Sequence, residues 1–310
     1  MMRVIKRFLH KPLRTLMPIG CGLLLCSLIG LAGLPVSSQP VQANAGLSMS
    51  RNPNELTIAQ QVDDQQINLG QSFQALGVDG SIVIYDKNND RFYEHNPSRN
   101  TTAFFPASTF KIFNALVSLE TGVIPNDVAV LTWDGIKREL PGVGEIPAWN
   151  RDTNLRQAFK DSTIWFYQVL ARKNGHERMQ QFINQAGYGN RQIGTEQQID
   201  RFWLDGPLQI TPKQHIEFLE RLDRNDLPFS ERTLALVKDI MLVEQTPNYT
   251  LRGKTGWDTS VTPNIGWFVG YLEQNNNKYF FATNIMMPSA EDAAKRLEVT
   301  RRSFKALGLL

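Results

Sequence analysis

Apolar runs with strand character frame the two ends of the chain, and helical periodicity fills the stretch between them. Ser81-Ile82-Val83-Ile84-Tyr85 and Arg91-Phe92-Tyr93 flank the polar turn Lys87-Asn88-Asn89-Asp90, which predicts a β-hairpin. Late in the chain, residues 251–256, 266–273 and 278–287 predict three successive strands. Gln274-Asn275-Asn276-Asn277 turns between the last two. After Pro106, apolar residues at Phe110, Ile112, Phe113, Leu116, Val117 and Leu119 follow helical spacing and stop at Gly122. Residues 123–250 read as mainly helical with long loops, the clearest helices being 155–171, 214–222 and 231–243; residues 290–307 predict a closing amphipathic helix. Strands at both ends with helices between them predict an α/β fold of the α+β kind. Its antiparallel sheet is built from both chain ends and flanked by helices, with a helical region of about 108–250 inserted.

The first 45 residues follow a different pattern. Arg3, Lys6, Arg7, Lys11 and Arg14 precede an apolar run over residues 16–34, and Ala43-Asn44-Ala45 matches a small-residue cleavage site before Gly46. This predicts a signal peptide over residues 1–45 and a periplasmic or secreted protein with no stable membrane anchor after processing. The run also approaches spanning length, so a single-span anchor is the alternative. Residues 46–70 are polar and aperiodic and predict a flexible linker, leaving 71–310 as one domain.

Charge and cysteine usage narrow the function. The whole chain carries +3, but without the five leader cations 28 basic residues face 30 acidic ones, a net of −2. That balance does not suit a nucleic-acid binder. Both cysteines, Cys21 and Cys26, lie in the leader, so the mature protein is expected to have no disulfide. His10, His95, His176 and His215 show no metal-ligand spacing, and no metal is expected.

Two short motifs carry candidate chemistry. Ser108-Thr109-Phe110-Lys111 opens a helix, and i,i+3 spacing brings the Ser hydroxyl and the Lys amine onto one face. An apolar setting, with Phe104, Phe105, Phe110 and Phe113 nearby, would keep the amine neutral and able to take the serine proton. The same four residues also fit a capping serine beside a surface lysine. Lys254-Thr255-Gly256 sits in a strand, where Lys and Thr suit a carboxylate and Gly lets a ligand approach the backbone; a strand end with a turn glycine is the plain alternative. S-x-x-K, then Ser162, then K-T-G is the order described for penicillin-recognising serine enzymes.

With Pro106-Ala107 ahead of the first motif, and with Tyr188-Gly189-Asn190 and Phe202-Trp203-Leu204-Asp205-Gly206, the chain resembles the class D (oxacillinase-type) serine β-lactamases. Trp133-Asp134-Gly135, Trp149-Asn150 and Leu155-Arg156 match further landmarks, and the similarity covers roughly residues 75–310. Ser162-Thr163-Ile164 stands where that family usually has S-x-V, and residues 137–147 look like an insertion at one rim of the cleft. The resemblance implies hydrolysis of penicillin-type β-lactams through a Ser108 acyl-enzyme. It implies no cofactor beyond the CO₂ or bicarbonate that converts Lys111 to N6-carboxylysine, the general base. Trp203 would hydrogen-bond that group, Ser162 would relay protons, and the backbone N–H groups of Ser108 and Trp257 would form the oxyanion hole. Lys254, Thr255, Gly256 and Arg296 would bind the substrate. Lys295, Arg301 and Arg302 lie close to Arg296, so a solvated basic face is the alternative for that position. A β-lactam sensor domain that stays acylated and a cell-wall D,D-peptidase share the motif order and are the rival functions; Tyr188-Gly189-Asn190 also suits the tyrosine motif of some peptidases. The only partner expected is the small-molecule β-lactam, with the protein a monomer or homodimer.

Overall fold

A computed structural model describes residues 67–310. The signal segment, both cysteines and residues 46–66 of the expected linker lie outside the described residues. In chain order, helix α1 (Gly70–Gln74) precedes the hairpin of strands β1 (Gly80–Asp86) and β2 (Arg91–His95). Helix α2 (Pro97–Asn100) and a 3₁₀ turn (Ala107–Phe110) lead to α3 (Lys111–Glu120). Then come the short strands β3 (Val130–Leu131), β4 (Glu139–Leu140), β5 (Gly144–Glu145) and β6 (Thr153–Asn154), followed by helices α4 (Leu155–Lys160), α5 (Ile164–Asn174) and α6 (His176–Ala186). Helices α7 (Pro212–Asp223) and α8 (Glu231–Ile240) complete the inserted region. Strands β7 (Leu242–Gln245), β8 (Thr250–Asp258), β9 (Asn264–Gln274) and β10 (Asn277–Met287) and helix α9 (Lys295–Ala306) close the chain.

The main sheet has the order β2-β1-β10-β9-β8-β7 and is antiparallel throughout. It is built from both chain ends, as the apolar pattern predicts: β1 pairs with β10 from Gly80↔Ile285 to Asp86↔Tyr279. One face packs on the helical region, where Val83, Val269, Phe280 and Ala282 join Phe110, Phe113 and Phe166. The other packs on α1 and α9, where Ile82, Ile84, Phe281 and Ile285 meet Phe73, Val299 and Phe304. Burial on both faces explains why Ile82-Val83-Ile84 reads as a continuous apolar run rather than an alternation.

Three elements differ from expectation. The helix read over 155–171 is two helices, α4 and α5, separated by Asp161-Ser162-Thr163, with Ser162 at φ 59°. The helix read over 231–243 ends at Ile240, and Leu242 and Val243 begin the edge strand β7. The closing helix starts with a 3₁₀ turn at Ala290–Ala294 before α9. Helix α1 begins at Gly70, at the end of the expected linker and three residues ahead of Phe73.

Candidate active site

The loop from Phe104 to Phe110 is held from several sides. Phe104 and Ile210 exchange backbone hydrogen bonds (3.0 and 2.9 Å), Trp267 Nε1 donates to the Phe105 carbonyl at 3.0 Å, and Ala107 N donates to the Trp203 carbonyl at 3.0 Å. These anchors force Ala107 to φ 47°, a left-handed conformation that costs an L-residue about 1–2 kcal/mol. The turn that follows presents Ser108 at the cleft, and Lys111 Nζ lies 2.7 Å from Ser108 Oγ. Thr109 turns the other way: its hydroxyl donates to the Pro106 carbonyl at 2.7 Å and lies 3.3 Å from His215 Nε2. With the Thr109 proton used on Pro106, Nε2 of His215 must carry its own proton and donate it.

Strand β8 forms the facing wall. Gly256 packs against the nucleophile turn so closely that a Cβ there would stand 3.1 Å from Thr109 Cγ2 and 3.2 Å from the Pro106 carbonyl oxygen. A side chain there would push the strand or the turn back by a few tenths of an ångström. Arg296 on α9 passes across Gly266 of β9, where a Cβ would meet its Cδ at 2.8 Å, and donates from Nη1 to the Gly256 carbonyl at 2.6 Å. That bond orients the Gly256–Trp257 peptide, whose N–H belongs to Trp257.

The site residues fall into two layers. Ser108, Ser162, Thr255, Gly256, Trp257 and Arg296 line a cleft of about 380 Å³. Lys111, Trp203 and Lys254 lie behind them, buried. Strand alternation separates Lys254 from Thr255, and its Nζ donates to the Thr255 carbonyl at 3.0 Å, above the Phe159 ring. Trp203 stacks on Phe110 with centroids 5.3 Å apart, and its buried indole N–H has no acceptor among the described residues. The break between α4 and α5 turns Ser162 into the cleft, with Ile164 beside it on the wall.

Burial dominates the electrostatics. It pushes the Lys111 ammonium well below the usual lysine range, and the neighbouring Lys254 adds to the effect. Burial also lowers Lys254 to about 7, with Arg296 contributing, and lowers Arg296 to about 10. None of the three forms an ion pair among the described residues. On α9 the neighbours of Arg296 are engaged elsewhere: Lys295 with Asp292 at 2.8 Å, Arg302 with Glu298 at 2.8 Å, and Arg301 with Glu244. Of the four cations, only Arg296 lines the cleft. A floor with three basic groups and no carboxylate partner suits anions.

Tyr188-Gly189-Asn190 does not reach the cleft. Tyr188 is buried against Phe110, Phe113 and Phe218, its phenol pushed further up by burial, and Asn190 ties the loop to Pro207 and Gln209. The motif builds the core beneath the nucleophile rather than supplying a tyrosine base. The segment read as an insertion holds the hairpin β4–β5, and its Glu139, Leu140, Pro141 and Ile146 line the cleft. His215 was not legible as part of the site, because only the packing of α7 brings it to Thr109.

Comparison with known proteins agrees with this geometry. Residues 80–306 match the family model described as the penicillin binding protein transpeptidase domain. Beta-lactamase OXA-48 of Klebsiella pneumoniae is 39% identical over 226 residues, 73% of this chain and 82% of the relative. Among solved structures, the class D β-lactamase YbXI from Nostoc is 72% identical with a TM-score of 0.75, covering 78% of this chain and 99% of that one. FUS-1 (OXA-85) from Fusobacterium nucleatum, also class D, is 39% identical with a TM-score of 0.72, covering 78% and 98%.

Proposed function

The chain belongs to the penicillin-binding transpeptidase-domain family and, within it, to the class D serine β-lactamases, which are β-lactam hydrolases; on that premise we propose that it opens penicillin-type β-lactams through a Ser108 acyl-enzyme with N-carboxylated Lys111 as general base. The observation that carries this is the buried Lys111 amine, 2.7 Å from Ser108 Oγ and held toward neutrality. Only a neutral amine reacts with CO₂.

In acylation the Ser108 hydroxyl gives up its proton on the Lys111 side as Oγ bonds to the lactam carbonyl carbon. The N–H groups of Ser108 and Trp257 receive the developing oxyanion. The lactam C–N bond then breaks, and the ring nitrogen takes a proton relayed by the Ser162 hydroxyl. Thr255 and Arg296 hold the substrate carboxylate, Arg296 through its planar guanidinium. Lys254 supports them from behind and adds positive charge. A water molecule, deprotonated on the Lys111 side, cleaves the ester and returns Ser108.

The carboxylated side chain supplies an anionic oxygen base in an apolar setting. The residues present fit it: Lys254 offers a cation without a carboxylate partner, and Trp203 offers a buried N–H without an acceptor. Steady-state turnover of a chromogenic cephalosporin across a bicarbonate series tests the proposal. After acid decarboxylation and reneutralisation, activity should return as bicarbonate rises; indifference to bicarbonate would overturn the carboxylated base. We also propose export with cleavage after Ala45, for which N-terminal sequencing of the exported protein should read Gly46 first.

A further inference from the structure

Residues 137–147 take no part in the chemistry above, yet they build one wall of its cleft. Strands β4 and β5 pair as Glu139↔Glu145 and Leu140↔Gly144, and the tip turns at Gly142 (φ 78°). The base of the hairpin is tied to the segments that flank it in the chain. Arg138 makes a two-pronged contact with Asp134 at 2.8 and 2.7 Å, and the Asn150 side chain bonds both the amide and the carbonyl of Arg138. Trp133 Nε1 donates to the Ile136 carbonyl at 2.9 Å.

The groups lining the cleft here are of two kinds. Leu140, Pro141 and Ile146 give an apolar surface, continued by Trp149, Ile164 and Leu204. Four carboxylates also line the cleft, against the single cation Arg296. Two are ion-paired, Asp161 with Arg151 at 3.3 Å and Asp205 with Arg201, and Asp258 is buried and hydrogen-bonded by the Ser260 hydroxyl at 2.5 Å. Glu139 has no such partner among the described residues, and it stands exposed on the hairpin. Acidic groups alone would define nothing; here they flank the cleft that holds Ser108. Arg296 takes the ring carboxylate of a penicillin, so the variable acylamino group is the part left to meet the remaining walls.

We propose that the β4–β5 hairpin, through Glu139, makes this enzyme favour β-lactams whose apolar acylamino side chain carries a cationic amino group, and disfavour those carrying a second carboxylate. The proposal rests on the β-lactam hydrolase assignment. An unpaired carboxylate at the rim attracts an ammonium and repels a carboxylate, whereas a neutral side chain feels only the apolar wall. Such a rim charge acts mainly on the encounter and on kcat/KM, and salt screens it.

Three penicillins that differ at one side-chain carbon test this: neutral benzylpenicillin, its α-amino analogue ampicillin, and its α-carboxy analogue carbenicillin. Wild type should show the kcat/KM order ampicillin over carbenicillin at low salt. Glu139→Gln should shrink that ratio by about threefold, and Glu139→Lys by about tenfold or more, with benzylpenicillin changed by less than about twofold. Raising the salt to about 1 M should compress the wild-type ratio toward that of Glu139→Gln. If all three substrates change in parallel, or the ratio ignores both substitutions, Glu139 does not select by charge and the proposal fails. Benzylpenicillin turnover separately reports on the hydrolase assignment. Should hydrolysis stall at the acyl-enzyme, acylation rates by intact-protein mass spectrometry read the same charge order.

Discussion

Lys111 and Lys254 are buried and Arg296 is half-buried at the cleft, three basic groups without a carboxylate partner among the described residues, an arrangement costly in free energy unless an anion is bound or protons are shed. Burial favours the neutral form of Lys111, and the proposed role of Arg296 is to meet the substrate carboxylate. Trp203 belongs to the same economy, as a buried donor with no acceptor. Trp203→Ala should therefore acylate but deacylate slowly. If Lys111 is carboxylated as proposed, removing the indole N–H takes away one partner of that anion and admits water, which costs a charged hydrogen bond about 1.5–3 kcal/mol, or roughly a ten- to hundredfold loss of deacylation. Burst and steady-state kinetics across a bicarbonate series check this: the variant should accumulate acyl-enzyme and respond weakly to bicarbonate. Equal burst and steady-state rates in wild type and variant would sink the role. At this scale the Ser108–Lys111 pair was legible, because i,i+3 spacing on a helix start fixes which side chains meet. The choice of Arg296 among its neighbours was not, since it depends on Gly266 leaving a passage and on acids that engage Lys295, Arg301 and Arg302.

The break between α4 and α5 shows what periodicity alone misses. Apolar residues continue in helical register through Phe159, Trp165 and Phe166, and neither Pro nor Gly marks the interruption. The stop comes instead from local backbone bonds, Ser162 N to the Phe159 carbonyl at 3.3 Å and Thr163 N to the Ala158 carbonyl at 2.9 Å, with Ser162 at φ 59°. A serine kept in that conformation, where glycine would be less strained, points to a needed hydroxyl. Ser162→Gly should be more stable than Ser162→Ala, by about 1 kcal/mol, since Ala pays the left-handed cost without any polar gain. Both variants should lose most of kcat. Thermal melts paired with turnover separate the two effects; an active Ser162→Gly enzyme would mean that the hydroxyl is dispensable. The edge strand β7 was illegible for a related reason. Leu242 and Val243 extend the apolar spacing of α8, and pairing with β8, Leu242 to Arg252 and Glu244 to Leu251 around an irregularity at Val243, makes them strand. Leu242 and Val243 are exposed despite that spacing, and a chain reversal set by tertiary pairing leaves little trace in apolar periodicity.

Across the described residues, a sheet assembled from early and late strands packs the inserted helices against the nucleophile turn, and His215 lies where helix, sheet and turn meet. It projects from α7, buried, donates to Thr109 Oγ1 at 3.3 Å, and sets its ring edge-on to Trp267 of β9 with centroids 5.0 Å apart. Helix, sheet and nucleophile turn therefore meet at one imidazole. Burial lowers its pKa from the ordinary 6.5 to about 3, so the native state holds it neutral across the physiological range. The unfolded chain takes up the proton near pH 6.5, while the folded protein resists until about pH 3. Between those values the unfolded state binds more protons, so stability falls as pH falls through that window. The linkage amounts to a ceiling of about 3 kcal/mol between pH 7 and pH 4. Replacement by glutamine keeps an amide donor and removes the titration. His215→Gln should be the less stable protein at pH 7, because its packing is imperfect, yet it should lose less stability on acidification. Denaturant melts of both proteins at pH 7, 5.5 and 4 measure this directly, since the carboxylates common to both cancel in the difference. A constant gap across the three pH values would mean that the ring is already protonated, or open to solvent, in the folded protein. The brace between α7 and the Ser108 turn would then have to rest on other contacts.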